Sequence, residues 1–287
     1  MSFIPKKMKN SIYVIILFIL VSNSIVYSQS QKDQFELNSK SVVGEIYPIE
    51  VILPDAYDST MQYPIVYITD WWFYLQYDLQ VHNILRYYNI IDPLIIVGIG
   101  TIGERADWNK ERRRDLTPTH LLEEDRRDSL DFGSRGITGG AENFLSFIKN
   151  ELIPDIEVKY RSDTLNRGFV GYSFGGLFGA YILLNDPQLF QNYIIGSPTL
   201  QHDNFIILQR LMEVTPEQLN SIKSIFISVG EQEQGDDLKS FAELRDLLLN
   251  MDLPNLNLES TIIEGEGHIS AIPQTLIKGF RFIYGNN

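Results

Sequence analysis

The chain has 287 residues, 44% of them apolar, no cysteine, and 37 acidic against 24 basic residues, for a formal charge of −13. The missing cysteines exclude disulfides and a thiol nucleophile, so a buried core must supply the stability. A surface this negative repels phosphate backbones and argues against nucleic acid as a partner.

Residues 1–28 have the layout of a secretory signal peptide. Lys6, Lys7 and Lys9 are followed by an unbroken apolar run, Ile12 to Val21, and then by Ser22, Ser24 and Ser28. The run is short of the ~18 residues that a spanning helix needs. The expectation is export to the periplasm or beyond, with no stable membrane insertion once the signal is removed. Losing those three lysines lowers the 24 basic residues to 21, against the same 37 acids. Residues 29–287 show neither a Gly/Ser- or Pro-rich linker nor an internal repeat, and read as one domain.

Val42 to Leu53 reads as strand material, with Pro48 marking part of it as an edge. Tyr63–Thr69 and Leu94–Gly98 are short β-branched strands, and Leu79–Tyr88 between them has helical apolar spacing. Arg105 to Arg135 is dense in arginine but nearly neutral. It reads as a solvated, salt-bridged excursion or as a rim whose arginines grip an acidic substrate. Phe144–Ile156 predicts an amphipathic helix running into Pro154. Gly168–Gly171 is a short strand, and Leu177–Leu184 a strongly apolar helix. Tyr193–Ile195, Ile225–Val229 and Leu258–Ile263 predict strands, with helices at Phe241–Met251 and Ile272–Tyr284. Strands alternating with helices imply an α/β fold, a mostly parallel central sheet with helices on both faces. Ligands are then expected at the carboxyl ends of the strands.

Gly171-Tyr172-Ser173-Phe174-Gly175 lies where a strand turns into a helix. Gly-x-Ser-x-Gly in that setting is a nucleophile elbow: a strained serine is pushed above the sheet, and small neighbours let strand and helix pass closely. Ser173 is therefore the candidate nucleophile. A serine needs a base. In this fold the chain order serine, acid, histidine removes His82 and His120, and His202 leaves little room for an intervening acid. His268, in the loop after the last strand, is the candidate base. The acid belongs on the loop after Ile225–Val229, where Glu231, Glu233, Asp236 and Asp237 all qualify. The oxyanion hole needs two backbone N–H groups. Phe174 supplies one and Trp71 or Trp72 the other, and these tryptophans can equally form an aromatic pocket wall.

Gly98-Ile99-Gly100-Thr101-Ile102-Gly103 matches a dinucleotide-binding fingerprint, but the segment that follows lacks the apolar periodicity of the required helix. No cofactor is expected, and the absence of an H-E-x-x-H or similar cluster implies no metal.

The segments YPIVYITD, IIVGIGT, RRRDLTPT, GGAENFLSFIKNELIPDIEVKYR, GYSFGGLFGAY, IIGSPTL and GEGH together resemble the putative-esterase family of α/β-hydrolases. That family includes siderophore, feruloyl and acetyl-xylan esterases and S-formylglutathione hydrolases. The resemblance covers nearly all of residues 29–287 and is nearest to the siderophore trilactone esterase branch. It implies the α/β-hydrolase fold, with Ser173 as nucleophile and His268 as base. The family's acid stands three residues past a strand-ending glycine, here Gly230, which selects Glu233. The family often carries a small residue where this chain has Trp71, and it places the region of Arg114 beside the pocket. Phe174 and Trp71 stay the expected oxyanion donors, with Trp72, Arg114 and Tyr172 as the expected substrate-binding residues. The expected activity is hydrolysis of a small-molecule carboxylic ester, with acyl transfer or silent ligand binding as rivals. No oligomeric state follows from these residues.

Overall fold

The computed structural model describes residues 31–286 apart from 56, 72–78, 124 and 126–136. The expected signal peptide, Trp72 and the distal part of the arginine-dense segment lie outside the described residues.

The described strands are β1 (Lys32–Asn38), β2 (Ile46–Ile52), β3 (Tyr63–Ile68), β4 (Ile95–Ile99), β5 (Ser162–Tyr172), β6 (Asn192–Gly196), β7 (Ser224–Gly230) and β8 (Asn257–Ile263). They form one sheet in the order β1-β2-β4-β3-β5-β6-β7-β8. The pairs from β4 through β8 are parallel, whereas β1–β2 and β2–β4 are antiparallel. From β3 the chain steps outward to β4, then returns to β5 on the other side of β3 and continues toward β8. The strand order therefore reverses between β3 and β5. A crevice at the carboxyl ends of two such strands is where open α/β sheets bind ligands. Asp70 and Trp71 follow β3, and Ser173 follows β5.

Pleating sends Ile65, Tyr67 and Phe169 to one face of the sheet and Val66, Ile68, Val170 and Tyr172 to the other. The first face is covered by α3 (Ala141–Phe147), α5 (Phe174–Asn185), α6 (Ile206–Leu211) and α7 (Asp236–Asn250); the second by α1 (Leu79–Tyr87) and α8 (Ile272–Tyr284). In α5 every residue from Gly175 to Leu183 is buried, as befits a helix that is apolar all round. Each large side chain buried this way, such as Phe178, contributes roughly 1.5–3 kcal/mol.

At four places the structure departs from the sequence pattern. β1 is largely exposed and too polar to stand out as a strand, yet it pairs with β2 along its whole length. Pro48 is therefore not on an edge. Its carbonyl accepts from Gly100 N–H at 2.9 Å, just past the first β2–β4 pair, Ile49 with Ile99. The missing N–H faces the same way and falls where that ladder ends. The helix expected to run into Pro154 instead continues through it. α3 passes into a π-helical turn (Ile148–Leu152) and then α4 (Ile153–Lys159). A wider turn just before a proline eases the clash of its ring with the preceding turn.

The fourth is α2 (Arg105–Leu116), a twelve-residue helix whose sequence shows no apolar periodicity. A capping box starts it: Glu104 accepts from the Asp107 N–H, and the Asp107 carboxylate accepts from the Glu104 N–H. Trp108, Arg112, Asp115 and Leu116 are buried and fall at helical spacing. Two of those four are charged, so the inward stripe does not read as apolar.

Candidate active site

The turn between β5 and α5 is set by close approach. A Cβ on Gly171 would lie 2.1 Å from the Gly175 carbonyl oxygen, and one on Gly175 would lie 2.7 Å from Thr69 Oγ1. Only hydrogen fits at both positions. Ser173 between them adopts φ 61° and ψ −117°, a conformation that an L-residue keeps only when its surroundings impose it. Those surroundings include Gly196, whose carbonyl accepts from Ser173 N–H at 3.0 Å, and Thr199, whose N–H donates to Ser173 O at 3.2 Å. Ser173 Oγ lies 3.3 Å from Thr199 Oγ1. Among the hydrogen bonds of the described residues, this is its side-chain partner.

His268 follows β8, and its Nδ1 lies 2.6 Å from Glu233 Oε2. The other Glu233 oxygen accepts from Ser197 Oγ at 2.6 Å and from Gly230 N–H at 2.8 Å. Burial works to raise the Glu233 pKa, but the contacts with His268, Ser197 and Gly230 outweigh it and hold the carboxyl below the usual range. The imidazole is 38% exposed and the Glu233 side chain 2%, so one group faces the crevice and the other stands behind it.

The other candidate acids have different partners. Glu231 accepts from Gly265 N–H at 2.8 Å and thereby ties down the histidine loop. Asp237 accepts from Gln201 Nε2 at 2.8 Å, and Asp236 opens α7. The other histidines are also placed elsewhere. His82 is buried against Phe280, His120 pairs with Asp125, and buried His202 meets Thr119.

Tyr172 does not border the crevice. It is 2% exposed, because strand alternation turns it toward the α8 face. Its hydroxyl donates to the His268 carbonyl at 2.5 Å and lies 2.8 Å from Ser197 Oγ. Burial pushes the phenol up, so the hydroxyl keeps its proton. Arg114 is engaged in a network on α2. It bonds Asp115 at 2.6 Å and Glu45 at 2.5 Å and donates to Tyr47.

On the β3 side, Asp70 has φ 58° and a carboxylate that accepts from Arg112 Nε, Arg112 Nη2 and Trp108 Nε1, each at 2.9 Å. The Trp71 indole is buried. Its Nε1 donates to Glu50 at 3.0 Å, and its ring covers Gly98, where a Cβ would lie 2.2 Å from the indole. The first glycine of the dinucleotide-like fingerprint is thus packed against tryptophan. Among the described residues, neither Phe174 N–H nor Trp71 N–H donates to a backbone carbonyl.

Residues 39–256 match the family model described as Putative esterase. The chain belongs to this family. The esterase is 34% identical over 199 residues to the ferri-bacillibactin esterase BesA of Bacillus subtilis (strain 168), an alignment covering 66% of this chain and 67% of that protein. It is 28% identical over 198 residues to the apo-salmochelin esterase of Escherichia coli O6:H1, covering 68% of this chain and 60% of that protein. The crystal structure of the BES protein from Bacillus cereus superposes with a TM-score of 0.77 at 31% identity, covering 90% of this chain and 97% of the other. The fold is that of the α/β-hydrolases, and the activity of the family is carboxylic-ester hydrolysis. No helix among the described residues of the esterase is long and apolar enough to cross a membrane.

Ser197, Thr199, Asp70 and Arg112 stand at the site without having been singled out in the sequence. The signal for the first two was the parallel order itself: a polar loop directly after the strand beside β5 must adjoin the elbow. Asp70 and Arg112 lie 42 positions apart, and no local pattern joins them.

Proposed function

We propose that the protein is an exported serine hydrolase that cleaves a siderophore-type carboxylic ester through Ser173, His268 and Glu233. The observation that carries this reading is the 2.6 Å bond between Glu233 and His268, formed at the carboxyl ends of β7 and β8 on the side of the crevice that holds the elbow. With Nδ1–H donated to the carboxylate, Nε2 is left as the proton acceptor. As substrate binds, Ser173 Oγ leaves Thr199, gives its proton to His268 Nε2 and attacks the ester carbonyl. Phe174 N–H and Trp71 N–H receive the oxyanion. The imidazolium then protonates the leaving alcohol, and a water activated by the same imidazole releases the acid from the acyl-enzyme. Glu233 orients the ring and stabilises its charged form throughout.

A siderophore substrate is supported by relatives named as esterases of ferri-bacillibactin and apo-salmochelin. Export is supported by the basic start and apolar run of residues 1–28. The mature amino terminus, read by mass spectrometry of secreted protein, would begin near residue 29.

The test is labelling with a fluorophosphonate followed by peptide mapping. Label on Ser173, absent in His268→Ala, together with loss of at least ~10³-fold in turnover of p-nitrophenyl acetate by folded Ser173→Ala, is the expected result. Folded protein that takes no label, or a Ser173→Ala variant as active as the parent, overturns the reading. Screening siderophore, feruloyl and acetyl esters by kcat/KM then tests the substrate class.

A further inference from the structure

We infer that Arg112 is a positioning residue that sets the spacing between the two oxyanion donors, Phe174 N–H and Trp71 N–H. This rests on the esterase reading of Ser173, since an oxyanion forms only if that serine attacks an ester.

The donors belong to separate segments. Phe174 is the first residue of α5, and Trp71 follows β3 in the neighbouring strand's exit loop. Catalysis needs both N–H groups about 3 Å from one oxygen, so their mutual distance must be held before substrate arrives. Backbone pairing of β3 with β5 ends at Ile68 and Val170, and one further bond, Thr69 N–H to Val170 O at 3.3 Å, follows. Beyond that, side chains must hold the two segments together.

Arg112 reaches both. Its guanidinium grips the Asp70 carboxylate with two parallel bonds of 2.9 Å, a fork-to-carboxylate geometry that fixes orientation as well as distance. The same guanidinium lies 5.1 Å from the Phe174 ring centroid and 4.7 Å from that of Trp108. Cation–π attraction is short-ranged, so this places Phe174 against the same group. Asp70 occupies left-handed backbone space at φ 58°, which costs an aspartate energy unless its side chain is well held. Three donors hold it, two from Arg112 and one from Trp108. The residue next in sequence is Trp71. A buried arginine on α2 thus contacts the residue before one donor and the side chain of the other.

A lysine at this position keeps the charge but has neither the fork nor the flat face. Folded Arg112→Lys is expected to lose ~10- to 100-fold in kcat on p-nitrophenyl acetate, less than the ~10²–10³ for removing one oxyanion donor outright. KM should stay within about twofold, because the ground-state ester does not need both donors. Affinity for phenylboronic acid, which forms a tetrahedral adduct on the serine, should fall in parallel with kcat. In Arg112→Ala, millimolar guanidinium should restore part of the kcat. If Arg112→Ala does not fold, having left Asp70 buried without its cation, Asp70→Asn supplies the second variant with the same expected split.

Unchanged kcat and boronate affinity in folded Arg112→Lys would overturn the inference. So would a fall in kcat with boronate affinity intact, since the donors would then still be in place. Fluorophosphonate labelling of the parent protein separates the two claims. Labelled parent with unaffected Arg112 variants sinks only the positioning role, whereas unlabelled parent sinks the esterase reading and this inference together.

Discussion

The turn at Ser173 and the helix at Arg112 border the same end of β3, but the turn announces itself in a five-residue motif, whereas the helix depends on partners that no local pattern reveals. At the turn, Gly171 and Gly175 remove the side chains that would collide, and Ser173 takes up a strained conformation within five residues. In α2 the inward stripe mixes Trp108 and Leu116 with Arg112 and Asp115, and the charged pair is buried only because Asp70, Tyr47 and Arg114 meet it. The helix is buried only as part of a network, and removing one member exposes the others to an unpaired charge.

That contrast can be broken in three places. The largest effect is expected at the side of the crevice beyond the turn. Glu233→Gln keeps the shape but can no longer hold the His268 tautomer, and kcat should fall ~10²- to 10⁴-fold with the fold intact. Circular dichroism alongside esterase kinetics measures both, and a loss under tenfold would mean that the acid does not orient the base. The Glu233 pKa is held low, so its pairing with His268 contributes stability above the ordinary carboxylate range and is lost as pH falls through the lowered value. In Glu233→Gln the corresponding part of the acid destabilisation should be missing.

A methyl group at Gly171 would sit against the backbone of Gly175, so Gly171→Ala should cost at least ~3 kcal/mol of stability. Lys110→Ala, on the exposed side of α2, should stay within ~0.5 kcal/mol. Urea titration of both variants sharpens the comparison. Equal effects would mean that the turn is not sterically set.

The smallest effect is expected within α2. Burial pushes the Glu111 carboxyl up to about 7, with Asp115 and Glu45 adding to the rise against opposing help from Thr101 and Arg114. A raised folded pKa means that the protonated acid is favoured in the folded state. Its contribution is therefore full below the unfolded value and is lost as pH rises through about 7. Glu111→Gln should match the parent near pH 5. Near pH 8 it should be more stable by ~1 kcal/mol, discounted for partial exposure, or roughly 2–4 °C in Tm. A pH-independent difference would show that another group carries the effect.

Much of the molecule was legible because local chemistry sufficed. The β-branched runs at Tyr63–Ile68, Ile95–Ile99 and Ser224–Gly230 became strands, and the glycines around Ser173 and the loop holding His268 stand where motif and chain order put them. The strand missed at Lys32–Asn38 and the helix missed at Arg105–Leu116 have too few apolar residues for periodicity to show. The resemblance places the region of Arg114 beside the pocket, and Tyr172 stands next to Ser173 in sequence. In a strand, however, the next residue points to the opposite face, and in α2 Arg114 lies two positions beyond Arg112 and off its stripe.

By itself, the sequence determined the fold class and the places of Ser173 and His268 within it, since motif and chain order act over a few residues or along a known topology. Spacing left four acids open and the family resemblance pointed to Glu233; tertiary structure brought that carboxylate to the imidazole, set Tyr172 behind the histidine loop, and closed an arginine on α2 over Asp70 and Phe174. Those outcomes depend on distances of a few ångströms between segments 35 to 96 residues apart. Only the packed sheet sets such distances, because no local propensity constrains them.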